Sequence, residues 1–413
     1  AGGYADPAVA AAVVNSLMLA GEKEGACAIV HKHPLPEPFK RRADVACKLV
    51  SGDNAGAMEA AAALRGGDPA LVKLVEIAAQ GLPPSAVPPT RLDGPAMVML
   101  DLAYVAPSAA ALRTTEPSLM RALVAHRTLP AATRIDISER GEALAIIEAT
   151  KLGDFYIQAL RDGVVMPAPT ARRARLVTAA RRAANAQEIV DSIIAVYGES
   201  RGGALFPTVA RASAIGLLNL PADEQFANVA QEAMRGFLLL GDKKRTKAWT
   251  ELAVKAAHND ARATNALDRL LPLVAIAGVD DPKRLPSEDI NRWYQIMRQD
   301  DPARAPLRGY LLLELFRATG IDVPRGSTQL PETPPAGAYL VSPPLATMQA
   351  LQAAASGRRR AETALLASIA VGETPLTNLH PAAVGAIVRA LRQVGEDHAA
   401  RLYAVETAIA HGL

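Results

Sequence analysis

Four segments of the chain share one short pattern: a helix-forming run, a glycine, an acidic residue and a second helix-forming run. They are LAGEKEGACAIV, LVSGDNAGAMEAA, LLGDKKRTKAWTEL and QVGEDHAARLYAVE. Glycine readily adopts the left-handed conformation that ends a helix. The acidic residue that follows favours the start of the next helix, by capping where it is Asp and through the helix dipole in every case. The pattern therefore predicts helical hairpins.

A small residue stands five positions after each of these glycines, where the two helices of a hairpin would cross closely. These residues are Ala26, Ala57, Thr246 and Ala400. A single hairpin cannot cover its own apolar face and must stack on its neighbours. Because the pattern recurs from one end of the chain to the other, it predicts an all-α fold, and more specifically an α-solenoid of stacked TPR-like helical hairpins.

The composition favours the same fold class. Half of the 413 residues are hydrophobic but only 4% are aromatic, and Ala, Leu and Val dominate the apolar fraction. Alanine is the best helix former and lets helices approach closely. Alternating patterns typical of strands are nearly absent. Helix-start signals along the chain predict roughly eighteen helices.

Proline-rich stretches suggest where the chain is divided. We expect N-terminal hairpins over 1–80, a central helical-repeat solenoid over 81–318, a Pro/Gly-rich linker over 319–344 and a C-terminal hairpin pair over 345–413. The linker prediction depends on the segment TGIDVPRGSTQLPETPPAGAYLVSPP, whose prolines and glycines disfavour regular structure.

The charge balance and the apolar runs argue against two classes of partner. The chain carries 45 basic and 42 acidic residues, a net charge of +3, and its basic clusters do not form one stripe on a helix. A nucleic acid is therefore not an expected partner. No uninterrupted apolar run approaches the roughly 20 residues that a membrane-spanning helix needs, so no membrane span is expected.

The two cysteines, Cys27 and Cys47, lie on either side of the proline-rich turn PLPEP. If the flanking segments are antiparallel helices, both cysteines lie at a similar height across the hairpin. The spacing predicts a disulfide, provided that the two side chains face each other. The alternative is a pair of buried free thiols. A disulfide would favour an oxidising compartment, and we expect the periplasm.

The segment GESRGGALFPTVARASAIGLLNLP, residues 198–221, resembles the signature of lytic transglycosylases in its order of Glu-Ser, Phe, Pro, Ser and Gly-Leu. That resemblance implies Glu199 as the general acid and base of a peptidoglycan-cleaving enzyme. However, the spacings differ, Asn219 replaces the family's Gln, and the downstream Ala-Tyr-Asn-Ala-Gly element is absent. We therefore assign no catalytic residue and expect no enzyme; Glu199 is predicted to be a solvent-facing loop residue.

Other residues that could carry chemistry have little support. His31 and His33 lack further metal ligands nearby, and no phosphate-binding loop or nucleophile motif occurs, so neither a metal nor a cofactor is expected. Trp249 and Trp293 lie among apolar residues of predicted helices, which favours core packing. The alternative for both tryptophans is a role as interface anchors.

Three regions carry a resemblance to a known group of proteins. They are Cys27 and Cys47 ahead of VSGDNAGAMEAAAAL, the hairpin FLLLGDKKRTKAW, and the ending GRRRAETALLASIAVGE with HPAAVGAIVRALRQVGEDHAARLYAVETAIAHGL. Together they resemble a poorly characterised group of alphaproteobacterial exported proteins built from TPR-like helices. Some periplasmic helical proteins of these bacteria, those of the MotC type among them, serve flagellar motors. By analogy, the resemblance implies a scaffold role.

We therefore expect a periplasmic helical-repeat scaffold that binds other proteins of a cell-envelope assembly, most concretely flagellar motor or stator components. It could form an oligomer within that assembly. Two alternatives remain: a lytic transglycosylase-like enzyme that uses Glu199, and a carrier of a lipid or small molecule. No stripe of aromatic and Arg residues in the sequence shows which helix face would bind a partner.

Overall fold

A computed structural model of the chain describes residues 6–85, 87–114, 116–200, 203, 205–258, 260–279, 285–323, 326, 328–372 and 374–413. Helices make up 71% of the structure, and no strand occurs in these ranges. This confirms the predicted all-α fold. The described ranges hold 21 α-helices, somewhat more than expected from the sequence.

The chain forms two compact units, Ala1–Ala171 and Arg172–Leu413. The helices of the first unit are α1 Pro7–Leu19, α2 Lys23–Lys32, α3 Phe39–Val50, α4 Asn54–Ala61, α5 Pro69–Gln80, α6 Gly94–Leu102, α7 Pro117–Ala125, α8 Ala131–Ala143 and α9 Ala149–Arg161. The boundary between the units falls in the first turn of α10, Ala168–Arg182.

The second unit continues from α10 with eleven further helices. They are α11 Ala186–Ser200, α12 Phe206–Ala214, α13 Ala230–Leu240, α14 Lys243–Ala257, α15 Ala261–Ala277, α16 Ser287–Asp300, α17 Ala305–Thr319, α18 Leu345–Ser356, α19 Arg360–Val371, α20 Pro381–Gln393 and α21 Asp397–Ala410. Short 3-10 helices cover Ala62–Leu64, Ala111–Arg113, Gly216–Asn219, Glu224–Val229 and Leu376–Asn378.

The four recurrent turns have the predicted geometry. Their glycines are left-handed, with φ of 85° at Gly21, 79° at Gly52, 68° at Gly241 and 86° at Gly395. In each turn the N–H of the following acidic residue donates to the carbonyl five residues earlier, at 2.9 to 3.0 Å. The small residues at the predicted crossings, Ala26, Ala57, Thr246 and Ala400, are all buried. The turns join the packed hairpins α1–α2, α3–α4, α13–α14 and α20–α21.

In the first unit, the chain returns so that α6 packs against α1 and α3. Gly94 at the start of α6 permits this approach, because a Cβ there would lie 2.7 Å from the Asn15 carbonyl oxygen. The Asn15 side-chain oxygen also accepts a hydrogen bond from the Gly94 N–H at 2.7 Å. A disulfide joins Cys27 of α2 to Cys47 of α3, with their Cα atoms 5.5 Å apart. The predicted disulfide is confirmed, and the free-thiol alternative is wrong.

In the second unit, the last helix contacts helices from much earlier in the chain. Helix α21 packs against α12, α13, α15, α17 and α20. Arg211 of α12 and Glu406 of α21 form a largely buried ion pair at 2.7 Å. In a strict solenoid each repeat contacts only its neighbours. Because α6 and α21 both contact distant helices, the stacking of hairpins into a solenoid stays a prediction.

Three arginines hold helix ends together in the second unit. Arg401 donates from Nη1 to the Ile276 carbonyl near the end of α15, and Arg392 donates from Nη1 to the Ala318 carbonyl near the end of α17, both at 2.9 Å. Arg308 of α17 donates in return to the His411 carbonyl at the end of α21. These carbonyls have no partner within their own helices and carry the negative end of the helix dipole.

The arginines from the last two helices share one carboxylate. Asp397 accepts from Arg392 Nε and from Arg401 Nε, each at 2.7 Å. Partial burial opposes ionisation of Asp397, but the two guanidinium hydrogen bonds outweigh it and hold the pKa below its ordinary value. The turn between α20 and α21 is therefore fixed to the ends of two other helices.

The division of the chain differs from the four predicted segments. The predicted linker contributes packing: Leu330 is buried, and the Gln329 N–H donates to the Asn291 side chain of α16 at 2.8 Å. Further along, Val341 exchanges backbone hydrogen bonds with the loop ahead of α20. Residues 345–413 belong to the same compact unit as α11–α17, because α20 and α21 bury their apolar faces against those helices.

We predict that replacing both cysteines by Ala lowers the free energy of unfolding by about 3 kcal/mol, since the bond closes a loop of 20 residues. Urea unfolding followed by circular dichroism measures the loss. As a control, a reductant should destabilise the wild type by a similar amount and leave the double variant unchanged. Equal stabilities of wild type and variant would contradict the prediction.

A second prediction separates the arginine contact from backbone strain. Gly278 has φ of 66°, and a Cβ there would lie 2.9 Å from the Arg401 guanidinium carbon. Gly395 has φ of 86° but nothing within 4 Å of its Cβ position. Both Gly→Ala variants should lower the free energy of unfolding by about 1 kcal/mol, because Ala is strained in the left-handed conformation. Gly278→Ala should lower it by a further ~2 kcal/mol, because the new methyl group displaces the charged hydrogen bond from Arg401 to the Ile276 carbonyl. Equal losses in urea unfolding would show that the arginine contact contributes nothing.

Candidate functional site

The α18–α19 hairpin of the second unit has an unusually neutral sequence. Helix α18, LATMQALQAAAS, has no charged residue, and α19, RAETALLASIAV, has only Arg360 and Glu362, both in its first turn. The two helices pack against each other and against α20. Their inner faces bury small and aliphatic residues such as Leu351, Ala355 and Ala367. The surface of an ordinary domain is about one quarter to one third charged, so the outer face of this hairpin differs from a typical surface.

The outer face of the hairpin exposes aliphatic side chains. Leu345 is 73% exposed, Leu365 is 61% exposed and Ile369 is 54% exposed. On α19, Ala361, Leu365 and Ile369 lie four residues apart and form one stripe along the helix. Exposed apolar side chains that are scattered singly are common, whereas grouped ones mark interaction sites. The hairpin is therefore the strongest candidate for a protein-binding surface among the described residues.

The charges of the hairpin are confined to the end that holds the turn between its helices, and Arg359 and Arg360 are paired there. Arg359 and Glu362 form an ion pair within the first turn of α19. Arg360 pairs with Glu396 in the turn before α21, and the hydrogen bond from Arg360 lowers the pKa of Glu396 below its ordinary value. Beyond this end, the exposed positions of both helices are Ala, Leu, Ile, Gln and Ser. Such a surface can bind the apolar, uncharged face of a partner without removing charges from water.

Glu199 lies in the last turn of α11 rather than in a loop, but it is solvent-facing as predicted. Its side chain is 39% exposed and accepts a hydrogen bond from Arg172 Nε at 2.6 Å. A general acid of the lytic transglycosylase type works from a buried position, whereas the side chain of Glu199 is exposed to solvent. Arg201, Gly202 and Ala204 of the same motif lie outside the described residues.

The residues that complete the enzyme-like motif serve the core instead. The Phe206 ring meets the buried Tyr197 ring edge to face, with centroids 5.3 Å apart. Gly216 lets the chain approach α10, because a Cβ there would lie 2.2 Å from the Ala180 carbonyl oxygen. The order of Phe, Ser and Gly-Leu that produced the resemblance is therefore explained by packing.

Both tryptophans are buried, so neither can act as an exposed interface anchor. Trp249 is 1% exposed and Trp293 is 0% exposed, and they are among the largest fully buried side chains of the protein. Core packing, the preferred interpretation from the sequence, accounts for both. The sequence could not decide between the two roles, because burial of a helical Trp depends on which helices pack over it.

The remaining sequence candidates do not come together as a site. His31 and His33 lie at the end of α2. Among the residues that the structure describes, no group of three His, Cys, Asp or Glu side chains could hold a metal ion. Within the same ranges, no helix combines the length and the apolar character needed to cross a membrane.

The neutral hairpin itself was missed from the sequence. Away from the turn between its helices, its surface is aliphatic and lacks the aromatic and Arg residues that usually indicate an interface in a sequence. The absence of any charge over residues 345–356 was the signal that could have indicated it.

Comparison of the chain with known proteins does not add a functional assignment. No protein-family model, curated protein or solved structure matches it.

We predict that purified protein does not cleave murein and that Glu199→Gln leaves a zymogram unchanged. The free energy of unfolding of the variant should also lie within about 1 kcal/mol of the wild-type value, because an exposed ion pair contributes little to stability. Murein cleavage by the wild type that disappears in Glu199→Gln would establish the rival enzyme hypothesis.

Proposed function

We propose that this protein is a helical scaffold of the periplasm that binds other proteins of a cell-envelope assembly. The observation that carries the proposal is the exposed, nearly uncharged outer face of the α18–α19 hairpin. The buried core of a protein–protein interface is depleted in charge, and aliphatic residues there release water when a partner covers them. The most concrete setting is the flagellar motor, which the resemblance noted above implies.

The disulfide supports the proposed compartment. Disulfides persist in oxidising spaces such as the bacterial periplasm and are rare in the cytosol. The Cys27–Cys47 bond joins two helices of the first unit and leaves no free cysteine in the chain. A protein that works as a scaffold in the envelope would retain such a covalent link.

Two of the hairpin residues give a direct test. Leu365→Glu combined with Ile369→Glu places charges in the middle of the stripe, where a partner would have to bury them. We expect recovery of specific partners from the native envelope, quantified by mass spectrometry, to fall at least about tenfold, since central interface residues carry most of the binding energy. Because both positions are exposed, each substitution should change the free energy of unfolding by less than about 0.5 kcal/mol.

Val165→Glu is the matched control. Val165 is 90% exposed and lies in the first unit, after α9. This variant also replaces an exposed aliphatic residue by Glu, and it should recover the same partners as the wild type. Unchanged recovery by the hairpin variant, or an equal loss with Val165→Glu, would contradict the proposed role of the hairpin.

A further inference from the structure

A cleft of about 340 Å³ opens in the second unit between residues 218–222 and the first turns of α14. Its lining consists of Leu218, Asn219, Leu220, Pro221, Ala222, Arg245, Ala248 and Trp249. The volume lies at the lower end of the range typical of ligand sites, and the wall is mostly apolar with a few polar groups, as such sites usually are. Neither the scaffold role nor the core requires this cleft.

One residue of the cleft lining, Trp249, has a polar atom without a hydrogen-bond partner among the described residues. The indole N–H of Trp249 makes no hydrogen bond with any residue that the structure describes, and its nitrogen is not completely buried. The nitrogen therefore keeps contact with solvent, although the Trp249 side chain as a whole is 99% covered. Buried Trp side chains usually find an acceptor for this N–H. An acceptor on a ligand in the cleft would supply it.

The charged lining of the cleft is positive. Arg245 is its one charged lining residue and donates from Nη1 to Asp242 at 2.7 Å. The Arg245 guanidinium carbon also lies 5.9 Å from the centre of the Phe237 ring. Among the described residues, Arg245 Nε and Nη2 have no hydrogen-bond acceptor, so both can donate to a ligand. Asp242 caps this helix N-terminus and pairs with Arg245, and the neighbouring positions of α14 add Lys243 and Lys244. The surface beside the cleft therefore has a net positive charge, which favours an anionic ligand.

We infer that this cleft binds an acidic peptide segment of a partner protein. An apolar side chain of the peptide packs against Leu218 and Ala248, and an adjacent carboxylate accepts from Arg245. The Asn219 side-chain amide donates to and accepts from the peptide backbone, which explains a preference for a peptide over a fatty acid, whose chain has no such groups. This inference does not depend on the α18–α19 hairpin, because the two surfaces share no residue.

The two tryptophans give a selective readout, since Trp249 lines the cleft and Trp293 does not. A ¹⁵N correlation spectrum of the whole protein shows one indole N–H signal for each, and Trp249→Phe assigns them. We expect titration with the capped peptide Ac-Glu-Leu-Asp-Leu-NH₂ to shift the Trp249 signal and to leave the Trp293 signal in place. The basic analogue Ac-Lys-Leu-Lys-Leu-NH₂ should shift neither, and decanoate should bind at least tenfold more weakly than the acidic peptide.

Charge-matched variants test the role of Arg245. Arg245→Glu should weaken binding of the acidic peptide at least about tenfold, because a charge-assisted hydrogen bond is lost. Lys255→Glu makes the same change of charge on α14 but outside the cleft, and it should bind nearly as the wild type does. Ala248→Glu, at an exposed position, gives a second variant that blocks the cleft if Arg245→Glu does not fold.

Three results would overturn the inference. They are no shift of the Trp249 signal with millimolar acidic peptide, an equal shift with the basic peptide, and an equal loss of binding in Lys255→Glu and Arg245→Glu. Tighter binding of decanoate than of the peptide would overturn the peptide assignment in favour of a lipid carrier. None of these results bears on partner recovery through the hairpin.

Discussion

The second unit depends on one repeated contact, in which an arginine covers a left-handed glycine at the end of a helix. Arg401 lies against Gly278, Arg392 against Gly320 and Arg308 against Gly412. Each arginine also donates to a carbonyl of the helix end that it covers. The glycine leaves room for the guanidinium, and the guanidinium satisfies a carbonyl that its own helix leaves unpaired. The C-terminal helices are thereby joined to helices far earlier in the chain.

This arrangement determines which surfaces remain for function. Because α20 and α21 are held against α13, α15 and α17, they form part of the core. The α18–α19 hairpin packs on α20 and exposes its neutral outer face. A firmly held frame with one uncovered aliphatic face suits a scaffold, since binding then requires little ordering of the hairpin itself.

The features that were predictable from the sequence are those set by neighbouring residues. The glycine turns follow from local backbone chemistry, and Cys27 and Cys47 are close enough along the chain for a hairpin to join them. The Arg401–Gly278 contact spans more than a hundred residues, and no pattern in one sequence pairs them.

The linker prediction failed to anticipate that Leu330 would be buried, because proline content reports on regular structure and not on packing. Glu199 resembled a catalytic residue only because Phe206 and Gly216, which serve packing, follow it in the order of the family signature.

On the proposal made above, a partner protein in the envelope covers the neutral hairpin. Site-specific incorporation of a photo-crosslinking amino acid at Leu365, followed by illumination of intact cells, tests it most directly. We expect a crosslink to a defined envelope protein from position 365 and none from Val165, which is also aliphatic and is more exposed. No crosslink at 365, or the same products from both positions, would contradict it.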